Sequence, residues 1–221
     1  MSKCDIVLIG VGGQGIVTLG DLIAQAAVAS DVSAAYVPSK GMAQRGGFVK
    51  VEIRLGQGVS GPRVSARGAD VVVSMERSEA LKGVEFVSPS GRFILYDHVW
   101  EPTGVMLGED AYPSRESVLK VLTQAAGDVI VLQPDDRPVF DGRPIAANVF
   151  ALGALFGMQS LREIIDPRVM EEALARRWPK AAEANRTAFR FGLAAGNSPQ
   201  GELLGSSHCS ELLVGELHDV G

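Results

Sequence analysis

The stretch LIGVGGQGI, residues 8–16, decides how the rest of the chain is read. Glycines at 10, 12 and 15 fit G-x-G-x-x-G, and Gly13 adds a fourth. Upstream, CDIVLI (4–9) is a short apolar run with the composition of a buried parallel strand. Downstream, Ile16, Leu19, Ile23 and Ala26–Ala27 recur at helical spacing in a segment that ends near Ser30–Asp31. Strand, glycine turn and helix together form the context in which such a turn receives a diphosphate. The turn is tight, its backbone amides can approach the anion, and the helix N-terminus supplies a positive dipole end. Gly13 clears one more side chain from that surface. A close-packed turn with no ligand satisfies the same pattern, so the motif alone does not decide.

Working outward, a second strand is expected at 34–37, broken by Pro38. In FVKVEIRL (48–55), Val49, Val51, Ile53 and Leu55 alternate with Phe48, Lys50, Glu52 and Arg54, predicting one buried and one polar face, at a sheet edge or in an antiparallel pair. Apolar runs at 70–75, 92–96 and 128–132 read as central strands, with an amphipathic helix over 116–127. From 145 the chain turns helical, in three segments, with Pro167 opening the second. The expected architecture is α/β: a Rossmann-like, mostly parallel sheet with a helical C-terminal region. Residues 1–195 form one domain, and 196–221, rich in Gly, Ser and polar residues, is expected to be a flexible or partner-docking tail.

Composition narrows the function. The 221 residues carry 26 acids against 21 bases, a formal charge of −5, which argues against nucleic acid or an anionic membrane as partner. No apolar stretch approaches the ~20 residues needed to span a bilayer, and the N-terminus lacks a signal-peptide pattern, so a soluble, cytoplasmic chain is expected. Two cysteines, Cys4 and Cys209, and three histidines, at 98, 208 and 218, are too few and too scattered for an iron–sulfur cluster or a zinc site. No metal ligand and no catalytic residue is assigned.

The nucleotide, if there is one, is not simple NAD. Where that cofactor requires an acid at the end of the second strand, the sequence reads YVPSKG, with Ser39 and Lys40 in its place. This favours a ligand with an extra phosphate, such as NADP or coenzyme A. KGMAQRGG (40–47) is a second glycine-rich element, in which Arg45 beside Gly46–Gly47 can offer a guanidinium to a phosphate or carboxylate; a bulge with a solvated arginine is the bland alternative. Both loops should lie at the same sheet edge. Ser74–Met75–Glu76 follows a strand, where either ligand contact or helix entry would place it. Asp135–Asp136 and Asp141 read as loop acids, and Asn148 as a cap or helix-packing residue.

Four motifs, GVGGQG (10–15), KGMAQRGG (40–47) running into the alternating strand, NVFALGAL (148–155) and AAEANRTAFRFG (181–192), occur in an order that resembles the gamma subunit or domain of 2-oxoacid:acceptor (ferredoxin) oxidoreductases. The resemblance spans residues 4–192 and is nearest to the small beta subunit of indolepyruvate oxidoreductases. It implies an assembly that oxidatively decarboxylates a 2-oxoacid, pyruvate or an aryl acid such as indolepyruvate, forms the acyl-CoA and reduces ferredoxin or another acceptor. Thiamine diphosphate, Mg and the iron–sulfur clusters would reside on larger partner subunits. This chain would contribute to coenzyme A binding and assembly, through Gly10, Gly12, Gly13, Gln14 and Gly15 in the first loop and Ser39, Lys40, Arg45, Gly46 and Gly47 in the second. The apolar helix 147–158 and ELLVGEL (211–217) are the expected partner-facing stretches. A stand-alone NADP-dependent reductase and a nucleotide-sensing regulatory module are the competing readings.

Overall fold

A computed structural model describes residues 3–41, 46–59 and 61–197. In chain order the elements are β1 (Cys4–Val11), α1 (Ile16–Ala29), β2 (Ala34–Lys40), β3 (Phe48–Leu55), β4 (Ala69–Ser74), a one-turn α2 (Ala80–Gly83), β5 (Val87–Tyr96), a one-turn α3 (Thr103–Met106), α4 (Arg115–Ala125), β6 (Asp128–Leu132), the tiny hairpin β7 (Val139–Phe140) and β8 (Arg143–Pro144), α5 (Ala147–Phe156), α6 (Gln159–Arg162), α7 (Pro167–Arg177) and α8 (Ala182–Asn197). The main sheet has the order β2-β3-β1-β4-β5-β6. Strands β1, β4, β5 and β6 pair in parallel, while β3 pairs antiparallel with both β1 and β2. All but β3 therefore run the same way, as the sequence led us to expect.

Alternation along β1 sends Ile6 and Leu8 to one face and Val7 and Ile9 to the other, so the sheet divides two cores. The larger lies under α1, α5, α7 and α8; the smaller lies under α2 and α4. The alternating strand β3 takes the antiparallel option but is internal rather than at an edge. Its polar face is covered rather than solvated. Glu52 is buried and accepts from the Val64 amide at 2.8 Å, with Lys50 at 3.0 Å and Arg63 at 2.8 Å. Burial alone would raise its pKa, but the Val64 amide and the two cations outweigh burial and hold it below the usual carboxylate range. Arg54 likewise pairs with the buried Asp5.

Several boundaries differ from expectation for identifiable reasons. Pro38 does not end β2. The Gly41 amide donates to Phe48 O at 2.8 Å, so residues 41, 39 and 37 face β3 and Pro38, out of phase with them, turns its missing N–H to the open edge. β6 is an edge strand, not a central one. The β7–β8 hairpin turns through Asp141 (φ 49°) and Gly142 (φ 73°); the Asp-Gly pair is the ordinary signal for such a turn. Helix α8 continues through Asn197, and ELLVGEL lies outside the described residues.

The apolar helix expected to face a partner is instead the centre of the larger core, with every residue from Val149 to Phe156 buried. It can be buried because α8 approaches it backbone to backbone. A Cβ at Gly153 would stand 2.1 Å from Phe189 O, one at Gly192 1.9 Å from Phe150 O, and one at Gly196 2.0 Å from Ala154 O. Arg92 fastens the far end of α8, donating to Gly196 O at 2.9 Å while paired with Asp128 at 2.6 Å. Because the neighbouring atoms are backbone, a methyl at position 192 can be admitted only by separating the helices. Gly192→Ala should therefore cost about 3 kcal/mol, a fall in melting temperature of about 10 °C, by thermal or urea unfolding. A melt within 2 °C of the unaltered chain would refute the tight-contact account.

Candidate functional site

The C-terminal edge of the sheet gathers the glycine turn after β1, the β2–β3 loop, the segment after β4 and the start of α5. Gly12 continues the β1–β3 ladder beyond the strands: its amide donates to Gly47 O at 2.8 Å and its carbonyl accepts from the Gly46 amide at 3.4 Å. The two glycine loops are thus joined directly, bearing out their expected shared edge.

The ten candidate residues then separate by role. Gly10 makes room for Gln14, since a Cβ there would stand 2.5 Å from Gln14 Oε1. Gln14 straps the turn, accepting from the Val11 amide at 2.9 Å and donating to Met75 O at 2.7 Å. Gly12, Gly46 and Gly47 spend backbone groups on each other. Gly15 has φ 80° and no space for a side chain, with Asn148 Nδ2 2.5 Å from its would-be Cβ. Gly13, at φ 107°, faces open space. Ser39 pairs with Lys50, and Lys40 with Val49, on β2. The Lys40 side chain and Arg45 lie outside the described residues.

Helix α1 begins without a side-chain cap and without an acid in its first turn. Among the described residues, the amides of Gly13, Gly15, Ile16, Val17 and Thr18 have no hydrogen-bond partner, the first intrahelical bond being Leu19 N–H to Gly15 O at 3.0 Å. This is an anion-receptive helix terminus with its approach cleared at Gly13. Asn148 serves helix packing, wedged on Gly15 with its Oδ1 accepting from Val149 N at 3.0 Å.

The arrangement departs from a dinucleotide fold in one respect. There the second strand lies beside the first and its end reaches the ribose. Here β3 lies between and runs backwards, so Ser39–Lys40 lies two strand spacings, about 10 Å, from β1 instead of one.

Sequence reasoning left Glu76 undecided. Its carboxylate is buried after β4 and accepts from Ser78 Oγ at 2.6 Å, the Glu79 amide at 2.8 Å, the Trp100 amide at 3.2 Å and Tyr112 Oη. It enters α2 and anchors the segment after β5; burial and this carboxylate push the Tyr112 hydroxyl pKa up. Nearby, Arg77 pairs with Asp97 at 2.6 Å and Arg115 lies 3.1 Å from the same carboxylate. Asp135–Asp136 occupies a short 3₁₀ turn, where burial and Asp135 raise the pKa of Asp136. Burial, with Asp70 and Asp5, pushes the Cys4 thiol up to about 12, so it is a core residue and a poor nucleophile. Among the described residues no three His, Cys, Asp or Glu side chains converge as metal ligands, and no helix is long and apolar enough to cross a membrane.

Residues 5–195 match the family described as pyruvate ferredoxin/flavodoxin oxidoreductase. The chain belongs to this family. The indolepyruvate oxidoreductase subunit IorB of Archaeoglobus fulgidus is 32% identical over 191 residues, 86% of this chain and 94% of that protein. Its namesake in Pyrococcus horikoshii is 30% identical over 203 residues, 88% and 96% of the two chains. The fold is shared with the keto/oxoacid ferredoxin oxidoreductase gamma subunit of Geobacter sulfurreducens (TM-score 0.60, 21% identity, 89% of this chain and 99% of that one). It is also shared with a 2-oxoglutarate:ferredoxin oxidoreductase of Magnetococcus marinus (TM-score 0.60, 18% identity, 91% and 32%), which carries 2-oxoglutarate, coenzyme A and succinyl-CoA. The chain is thus an IorB-like subunit of a 2-oxoacid:ferredoxin oxidoreductase with the fold of a gamma subunit, as the four motifs implied.

The Gln14 amide holds the turn at two points, its oxygen accepting from Val11 at the end of β1 and its nitrogen donating to Met75 O just past β4. Gln14→Glu keeps the shape but faces Met75 O with an acceptor, so it should cost about 2 kcal/mol at neutral pH. Thermal unfolding checks this, and the loss should shrink as acid protonates the new carboxyl; equal melts at pH 7 would mean that the strap carries no weight.

Proposed function

We propose that this chain is the small subunit of a cytoplasmic, thiamine diphosphate- and iron–sulfur-dependent oxidoreductase that converts an aryl 2-oxoacid such as indolepyruvate to its acyl-CoA and reduces ferredoxin. Its own task is to hold part of coenzyme A and to complete the assembly. The observation that carries the coenzyme A assignment is the uncapped N-terminus of α1, with unpartnered amides at Gly13 and from Gly15 to Thr18 and open space over Gly13. Such a terminus favours a diphosphate oxygen over a neutral group. In this reading Gly10, Gly12 and Gln14 shape the turn, Gly13 and Gly15 present amides, and the β2–β3 loop with Ser39, Lys40 and Arg45 flanks the anion. Coenzyme A supplies the thiol that accepts the acyl group. Thiamine diphosphate, Mg and the clusters belong in this account to the larger partner subunits, and the region 1–195 is the working domain with 196–221 as its tail. The aryl preference is supported by identity to the IorB proteins.

Two measurements test the division of labour. The chain purified alone should show no absorption in the iron–sulfur region, contain no thiamine diphosphate and oxidise no 2-oxoacid; a brown, cluster-bearing preparation would refute it. Valine at Gly13 is a poor probe of the ligand, since φ 107° strains any L side chain. Thr18→Asp is better, because an acid at the third position of a helix suits the fold yet repels a phosphate bound at the same amides. In the reconstituted complex, KM for coenzyme A should rise about tenfold, the equivalent of about 1.4 kcal/mol, with an unchanged melt. An unchanged KM in a folded complex would make the turn structural.

A further inference from the structure

Of the eight large hydrophobic side chains exposed among the described residues, four lie in one short loop between β5 and α4: Val99 (40%), Trp100 (43%), Met106 (73%) and Leu107 (66%). The loop is not slack. Its ends are drawn together twice, by Asp97 with Arg115 at 3.1 Å and by Glu76, whose Oε1 accepts from both the Trp100 amide and Tyr112 Oη. Inside it, the Glu109 and Asp110 amides both donate to Gly104 O, at 2.8 and 3.2 Å, closing the one-turn helix α3 on itself, and none of that helix is buried. A loop held this firmly has already lost the conformational freedom that docking would otherwise remove. An apolar tip maintained in water without any covering element marks an interaction surface.

We propose that residues 98–114 are a preformed docking element that inserts Met106 and Leu107 into an apolar socket, rimmed by lysine or arginine, on the larger thiamine-binding subunit of the same complex; this rests on the subunit reading above. The charge pattern selects the occupant. Between His98 and Ser114 the loop carries Glu101, Glu109 and Asp110 and no lysine or arginine. A second copy of this chain would set these acids against their equivalents. The tail 198–221 has four acids and no lysine or arginine and is repelled in the same way. Position agrees with this choice: Trp100 Nε1 would stand 3.2 Å from a Cβ at Gly46, so the loop adjoins the glycine edge that must face the partner's reaction centre.

The test uses the separately purified chain and the larger subunit in a direct binding titration. Met106→Asp with Leu107→Asp, both at exposed positions, should leave the melt unchanged and weaken association about thirtyfold. Glu109→Lys with Asp110→Lys should weaken it about tenfold at low ionic strength, with the difference shrinking at high salt. If both double variants bind like the unaltered chain, the docking loop is refuted while the subunit reading stands. If the unaltered chain itself binds no larger subunit, both fall together. Self-association of the unaltered chain that the Met106/Leu107 variant abolishes, with the larger complex intact, would reassign the surface to a second copy and overturn the proposal.

Discussion

The pair of backbone hydrogen bonds between Gly12 and the Gly46–Gly47 loop is the constraint on which the site depends. It extends the antiparallel β1–β3 ladder one residue past the strand and so assigns Gly12 to the sheet. The chain must then reverse within Gly13–Gly15, using positive φ at 13 and 15, before α1 can begin. No room remains for a capping side chain, and the first amides of α1 are left pointing outward. The anion-receptive terminus is thus a by-product of how the sheet is finished.

The same insertion of β3 explains why the chain resembles a dinucleotide fold in sequence without reproducing its ligand geometry. The strand beside β1 brings its N-terminal end, not its C-terminal end, to the glycine turn. The feature that would read a ribose is therefore moved aside, and what remains local to the turn is an uncapped helix terminus with unpartnered amides.

Much of this was legible in the residues. A continuous apolar run identified β1 and patterning marked α1, β3, α4, α7 and α8, while Asp166 followed by Pro167 marked a helix start that the structure confirms by an Asp166 side-chain cap. The common edge of the two glycine loops also followed from strand order. Less visible was anything that depends on partners distant in sequence. The apolar stretch Val149–Phe156 reads equally as a partner face or a core helix; only Gly192 and Gly196, some forty residues on, decide for the core. Glu76 was undecided because its donors, Trp100 and Tyr112, come from a loop with no periodic signal. Proline broke β2 on paper because its hydrogen-bond phase is set by the register with β3, which no local window contains.

The backbone contact between α5 and α8 also has a consequence for synthesis. Helix α5 is apolar on every side and its cover, α8, begins at Ala182, so a growing chain must carry a fully hydrophobic helix uncovered while the intervening residues are made. At ordinary elongation rates that interval lasts roughly 1 to 5 s. During it the half-built domain exposes the face that becomes its largest core. Closure of the larger core thus waits on completion of one helix rather than on folding of the sheet.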